Sequence, residues 1–164
     1  KDGYIERQHI PERRIFCYDG KKNIYQYNSD GYEYILRELK KQVILQDLPM
    51  IYFCNIGSII REETLKAGKF ISTEIFLYLD EELQLEGDIE IIPENEYICM
   101  YGHCDIEDDF AKEEEYAYRL LEYVKHNDYE IIGDYICEVV VELPVFGNYD
   151  RNMFIKLQIP IKSY

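Results

Sequence analysis

Carboxylates alternate with apolar residues along the segment from Glu130 to Leu143, the part of the sequence best suited to bind a charged ligand. One face of this predicted strand is apolar, whereas the other carries Asp134, Glu138 and Glu142. The acids can lie in solvent on a half-wet outer face, since isolated charges avoid burial. Alternatively, Glu138 lies in a cleft as a counter-charge, because a buried carboxylate must be paired or neutralised.

Tyrosine is the second unusual feature, because the chain has 17 tyrosines and no tryptophan. Most of them are expected to fill strands and core edges, but a tyrosine face also stacks on planar or cationic ligands. With Glu138 as the charge, the predicted stacking residues are Tyr32, Tyr34, Tyr52, Tyr97 and Tyr101, and the repeat described below matches Asn55 to Glu138. The sequence therefore predicts a site for an aromatic cation, with Glu142 as the substitute carboxylate.

The five cysteines argue against a disulfide framework, because their number is odd and no two form a CxxC pair. Cys99, His103 and Cys104 lie close together in sequence, but zinc needs a fourth ligand and no second cluster supplies one. No Gly-rich phosphate loop, HExxH or GxSxG motif is present. We therefore expect no metal, no cofactor and no catalytic residue.

An internal repeat must position these residues. Ile10–Cys17 matches Ile92–Cys99 at an offset of 82, which is half of the 164 residues, and Tyr34 and Leu39 fall on Tyr116 and Leu121. At an offset of 83, Tyr52–Asn55 falls on Tyr135–Glu138. Ordered matches across a half-chain indicate duplication. We predict one domain over residues 1–164 with half-repeats at about 5–80 and 88–161.

Each half reads as a β-α-β-β unit. The predicted strands are Tyr4–Ile10, Arg13–Tyr18, Met50–Ile56 and Ser72–Leu79, then Asp88–Ile92, Tyr97–Tyr101, Tyr129–Leu143 and Met153–Ile161. One helix begins at Ser29 or Asp30, and the other is capped by Asp108 or Asp109 and stops at Asn127. Residues 57–70 read as an insertion, with a short helix or structured loop from Arg61 to Leu65. The expected fold is α+β: an antiparallel sheet with two main helices, a pseudo-twofold axis and a central ligand cleft.

Charge limits the partners of this chain. Its 18 basic and 33 acidic residues give a formal net charge of −15, and such a polyanion repels phosphate backbones and anionic lipid. No apolar run approaches the roughly 20 residues of a membrane helix, and no signal segment opens the chain. We expect a cytoplasmic domain that binds neither membrane nor nucleic acid by itself.

Three motifs resemble the GyrI-like effector-binding domain, and more narrowly the drug-binding domain of MerR-family regulators of the BmrR kind. They are Ile-Pro-Glu-x-x-Tyr-Ile-Cys from Ile92, the segment Tyr129–Tyr135, and the segment Phe154–Ile161. The resemblance implies a cleft for planar, often cationic, hydrophobic compounds, lined by tyrosines and one central glutamate. It carries over to Glu138, one residue later than the family pattern, with Tyr32 and Tyr34 as the helix tyrosines.

Three functions remain open. The first is the small-molecule sensor domain of a bacterial transcription regulator, with DNA bound only through an N-terminal helix-turn-helix region that this sequence does not contain, and with a homodimeric full-length protein. The second is a stand-alone GyrI-like protein that inhibits a protein partner. The third is a small-molecule hydrolase with a pocket Glu and Tyr, which would need a glutamate of raised pKa.

Overall fold

Eight strands and three helices lie in the described part of the chain. The computed structural model describes residues 3–26, 29–44, 56–80, 89–105, 110–144 and 151–163. The strands are β1 Tyr4–Ile10, β2 Arg13–Asp19, β3 Ile56–Ile60, β4 Glu74–Leu79, β5 Ile89–Ile92, β6 Asn95–Asp105, β7 Tyr135–Pro144 and β8 Arg151–Ile161. The helices are α1 Ser29–Ile44, α2 Glu62–Lys66 and α3 Ala111–His126. None of these helices is long and apolar enough to cross a bilayer.

All eight strands form one antiparallel sheet in the order β1-β6-β8-β7-β3-β4-β2-β5. The α+β class and the antiparallel sheet are therefore as predicted. Each half of the sequence contributes four strands, and corresponding strands occupy corresponding places when counted from the two edges. The first strand of each half pairs with the other half, so neither half completes its sheet alone.

The outer ladders follow the 82-residue offset of the sequence repeat. Ile10 pairs with Asn95 in the β1–β6 ladder, and Arg13 pairs with Ile92 in the β2–β5 ladder. Each partner in the second pair lies 82 residues from its counterpart in the first. Equal register at equal offset supports the predicted duplication, which stays a prediction together with its twofold axis.

The two long helices correspond at an offset of 81, one residue less than the sequence match. The buried residues of α1 are Tyr32, Ile35, Leu36 and Leu39, and those of α3 are Glu113, Tyr116, Ala117, Leu120 and Val124. The sequence match of Tyr34 with Tyr116 is therefore wrong, because Tyr34 is 58% exposed and Tyr116 is buried. Tyr116 packs against Gly102, just as Ile35 packs against Gly20. By the same offset, Glu113 takes the place of Tyr32.

The centre of the sheet differs most from prediction. Residues 57–60, predicted as an insertion, continue β3, in which all five residues are buried. The ladders pair Gly57 with Phe76 and Ile136 with Gln158. The outer partners are 82 residues apart, but the inner residues are only 79 apart. The predicted match of Tyr52–Asn55 with Tyr135–Glu138 is therefore not the one that the ladders carry; residues 52–55 lie outside the described ranges.

Two cores lie on opposite faces of the sheet. The larger one includes buried residues of all three helices, together with Met100, Tyr135 and Leu157 of the strands. The second core consists of strand residues alone, among the described positions: Ile10, Ile15, Ile59, Phe76, Ile92, Tyr97, Cys99 and Ile136. We call these the helix face and the strand face. Because successive strand residues point to opposite faces, the two cores divide each strand between them.

The start of α3 also differs from prediction. The N-cap of α3 is Phe110 in the left-handed region, with φ of 64° and no side-chain cap hydrogen bond, instead of Asp108 or Asp109. Both aspartates lie outside the described ranges. The other end is as predicted, because Asn127 is the C-cap. Phe110 is thereby held, 4% exposed, at the mouth of the helix-face core.

Candidate functional site

The predicted site residues divide between the two faces. Tyr32 lies in the helix-face core, whereas Tyr97 lies in the strand-face core. Glu138 follows Cys137 of the helix-face core, so the pleat turns its side chain to the strand face. Tyr34 is 58% exposed and reaches neither core. The single cleft predicted for these residues is therefore two separate sites.

Three further predictions concern residues that the structure describes little or not at all. Tyr52 and Asn55 lie outside the described ranges. Glu142 is in β7, but only its backbone is described. A bulge between Val139 and Val141 shifts the register, so that Glu142 pairs with Met153. The bulge breaks the alternation that placed Glu138 and Glu142 on one face.

A buried carboxylate occupies the helix face, and sequence reasoning missed it. Glu113 of α3 is 3% exposed, and its Oε1 accepts hydrogen bonds from the hydroxyls of Tyr25, at 2.8 Å, and Tyr135, at 3.0 Å. The Tyr25 hydroxyl is also 3.2 Å from Ser58 Oγ. We call Glu113, Tyr25, Tyr135, Ser58 and the neighbouring Cys137 the Glu113 cluster. The cluster joins α3 to the two central strands.

Burial dominates the electrostatics of the Glu113 cluster. It raises the pKa of Glu113 to about 7, although the hydrogen bonds from Tyr25 and Tyr135 act in the opposite direction. Burial, reinforced by the Glu113 carboxylate, raises the pKa of both phenols well above 10. It also raises the pKa of the Cys137 thiol. Glu113 is thus close to half-ionised at neutral pH, and its thiol neighbour is a poor nucleophile.

An aromatic shell closes the Glu113 cluster. Tyr25 stacks on Phe70 with ring centroids 3.9 Å apart, and Phe110 meets Tyr25 and Tyr32 edge-on at 5.8 and 5.3 Å. The remaining cavity measures about 20 Å³, which is about the space of one water molecule. It is lined by Ile24, Tyr32, Gly57, Ser58, Cys104, Phe110, Glu113, Cys137, Val139, Met153 and Ile155. A larger ligand requires the aromatic shell to separate.

The strand face carries a wider groove of about 370 Å³, within the usual range for small-ligand pockets. Its lining, which we call the Arg13 groove, consists of Ile10, Glu12, Arg13, Arg14, Tyr78, Leu79, Glu138 and Lys156. Glu138 is 22% exposed, and its carboxylate lies 4.0 Å from Lys156 Nζ. The lysine also donates to Gln8 Oε1 at 2.7 Å. The predicted counter-charge therefore already has a cationic neighbour.

The two predicted strand-face tyrosines flank this groove. The Arg13 guanidinium lies over the Tyr97 ring at 5.1 Å, and Tyr97 is 1% exposed. Lys156 lies over the Tyr101 ring at 5.6 Å, and the Tyr101 hydroxyl accepts a hydrogen bond from Gln8 at 2.8 Å. Both tyrosines thus contact a cation, as predicted for stacking residues, but the cation belongs to the protein.

A third charged cluster is structural. The Arg61 guanidinium donates to Glu74 at 2.7 Å, to Glu90 at 2.8 Å and to Asp134 at 3.1 Å. Its hydrogen bond lowers the pKa of Glu90. The Glu74 and Glu90 carboxylates also lie near Cys17 Sγ, at metal-ligand spacing, but Arg61 provides a positive charge there. The arginine ties β3 to β4, β5 and the segment before β7.

Comparison with known structures shows the same fold elsewhere. The chain is similar to a Staphylococcus aureus MU50 protein provisionally described as a bacterial transcription regulation protein. The match covers 98% of this chain and 99% of that chain, with a TM-score of 0.54 and 9% identity. At that identity the likeness concerns the fold alone. No protein-family model and no curated protein sequence matches the chain.

Proposed function

We propose that this chain is a small-molecule sensor domain of a bacterial transcription regulator, of the GyrI-like kind found in BmrR-type MerR regulators. The fold likeness to a protein described as a transcription regulation protein supports the regulator class. The observation that carries ligand binding is the Glu113 cluster: a buried carboxylate held by two phenols beside a cavity and an aromatic shell. An uncompensated group of this kind weakens the fold and suits a ligand.

The proposed ligand is a planar, hydrophobic cation that binds Glu113, instead of Glu138 as the sequence suggested. Burial holds much of the Glu113 population protonated near neutral pH, so the empty site needs no counter-ion. An arriving cation favours the ionised carboxylate and returns the charge pairing that burial removed. Tyr25, Tyr32 and Phe110 then supply ring faces for the planar part.

Binding without turnover is the proposed role. The Cys137 thiol beside the carboxylate has a pKa raised by burial, so little thiolate is available for covalent catalysis. The two phenols likewise remain protonated and act as hydrogen-bond donors. Release of p-nitrophenol from p-nitrophenyl acetate at a rate that depends on Glu113 would instead favour the hydrolase.

The regulator proposal places DNA binding outside this chain, in an N-terminal helix-turn-helix region of a homodimeric, cytoplasmic protein. The net charge of −15 supports that division, since a polyanion is repelled by DNA. A gel-shift assay with the complete gene product tests it. The complete protein should bind its own promoter region, and the isolated chain should not.

A matched pair of ligands tests the site. N-methylacridinium is a permanent planar cation, and acridine in alkaline buffer has nearly the same shape without the charge. Glu113→Gln should weaken N-methylacridinium by about tenfold or more in calorimetry, because a desolvated ion pair is lost, and should leave acridine nearly unchanged.

Glu138→Gln is the matched control on the opposite face of the sheet. It removes the same charge from the chain and should change neither affinity. If Glu138→Gln weakens the cation and Glu113→Gln does not, the strand face holds the ligand. If Glu113→Gln weakens both ligands equally, its charge does not select the cation and the proposal fails.

A further inference from the structure

Arg13 on the strand face holds hydrogen-bond donors that the described residues leave unused. Its Nη1 donates to Gln158 Oε1 at 2.6 Å and to the Tyr78 hydroxyl at 3.1 Å. Its Nε and Nη2 are buried and have no hydrogen-bond partner. The amide Nε2 of Gln158 is in the same condition, and Gln158 is 0% exposed. Three buried donors on two touching side chains therefore await an acceptor.

The geometry of these donors selects a class of ligand. The Nε–H and Nη2–H bonds of a guanidinium point from one edge in parallel, which matches the two oxygens of a carboxylate. Arg13 is held in place by the rings of Tyr97, at 5.1 Å, and Tyr78, at 5.7 Å. A fixed, half-satisfied guanidinium is prepared for a planar oxyanion, because little side-chain entropy is lost on binding.

The surrounding groove adds charge and an apolar wall. Arg13, Arg14 and Lys156 outnumber the acids Glu12 and Glu138 in its lining, although the whole chain is strongly acidic. Lys156 lies 4.0 Å from the Glu138 carboxylate and offsets its repulsion of an anion. The side chains of Ile10, Leu79 and Tyr78 form the apolar part, and the groove of about 370 Å³ accommodates a single aromatic ring.

We propose that the Arg13 groove is a second ligand site, which binds a small aromatic carboxylate through the Nε–Nη2 edge of Arg13, with its ring against Ile10, Leu79 and Tyr78. The site lies on the opposite face of the sheet from the Glu113 cluster and takes a ligand of opposite charge. The inference does not depend on the cation proposed for Glu113.

Phenylacetate, measured by calorimetry against its uncharged analogue phenylacetamide, tests the proposal. The folded chain should bind phenylacetate at least about tenfold more tightly than phenylacetamide, because only the carboxylate accepts both guanidinium hydrogen bonds. Inorganic phosphate is the third probe. If phosphate binds as well as phenylacetate, the site takes any oxyanion and the carboxylate assignment is wrong.

Two variants examine the role of Arg13. Arg13→Met removes the donors and should abolish the preference for phenylacetate. Gln158→Glu keeps Arg13 and places a carboxylate against it, so it should compete with the ligand within the chain and also lose the preference. The control is Arg14→Gln, which removes a charge from the same groove, where Arg14 donates to the Asp80 carbonyl. It should retain the preference.

Two outcomes would overturn the inference. If phenylacetate does not bind the unaltered chain, the free donors are satisfied by water only. If Gln158→Glu folds, as judged by circular dichroism, and still prefers phenylacetate, the ligand lies elsewhere. N-methylacridinium binding in the same variants separates this site from the Glu113 cluster, because changes at Arg13 should leave that affinity unaltered.

Discussion

Glu113→Gln should make the protein more stable in neutral and alkaline solution and change its stability little in acid. The pKa of Glu113 is raised from 4.5 to about 7 by burial. Between these values the folded state holds a proton that the unfolded state has released. Stability therefore falls as pH rises through this window and is constant above it. Glutamine does not ionise, so the variant lacks this loss.

The size of the effect follows from the same window. A rise in pKa from 4.5 to about 7 corresponds to about 3 kcal/mol, all of it expressed above the upper value. The glutamine amide needs its own hydrogen-bond partner, which adds a cost that does not vary with pH. The quantity to compare is therefore the change with pH in the stability difference between the variant and the unaltered protein.

Guanidinium unfolding followed by circular dichroism, at about pH 5 and about pH 8, measures that difference. It should move in favour of the variant by about 2–3 kcal/mol between the two conditions. Glu114→Gln, the next and exposed position of α3, controls for the loss of one acidic charge. If the two unfolding curves of Glu113→Gln stay at a constant separation from those of the unaltered protein, the carboxylate is not held neutral and the site argument fails.

Other parts of the fold make separate predictions. Arg61→Met should destabilise the chain by about 2 kcal/mol in urea unfolding, since it leaves three carboxylates together with the arginine site 37% exposed. Gly102→Ala should lower the melting temperature more than Gly20→Ala, because its Cβ would lie 2.4 Å from the Tyr116 ring and that of Gly20 3.1 Å from a side chain. His9 should titrate above 6.5 by NMR, because two carboxylates contact its ring.

Sequence periodicity predicted the outer sheet well. The prolines Pro11 and Pro93 separate pairs of alternating segments, and a shared motif on each side set the offset of 82 that the outer ladders follow. Alternation is informative there because those strands bury one face more than the other. The strand from Gly57 to Ile60 is buried throughout, so it has no alternation, and its Gly-Ser start reads as a loop.

The Glu113 cluster was hidden by its own composition. Glu113 begins a run of three glutamates near the start of α3, where acids favour the helix dipole and are normally solvated. A usable signal was the spacing, because residues 113, 116, 117, 120 and 124 form one helical stripe. Its partner hydroxyls come from Tyr25 and Tyr135, which only the folded chain brings together.

The register at the sheet centre decides which residues face each site, and one engineered cysteine tests it. Ser58 pairs with Cys137 in the antiparallel β3–β7 ladder, and both lie in the helix face. Directly opposed residues of antiparallel strands lie within disulfide reach. Ser58→Cys should therefore form an intrachain disulfide with Cys137 on treatment with diamide, seen by mass spectrometry of the digested protein. Gly57→Cys is the control, because it pairs with Glu138. The sequence match at offset 83 instead sets Cys54 as the counterpart of Cys137. If Ser58→Cys stays reduced while Cys54 links to Cys137, the central register is that of the sequence match, and Glu138 must be reconsidered as a residue of the buried site.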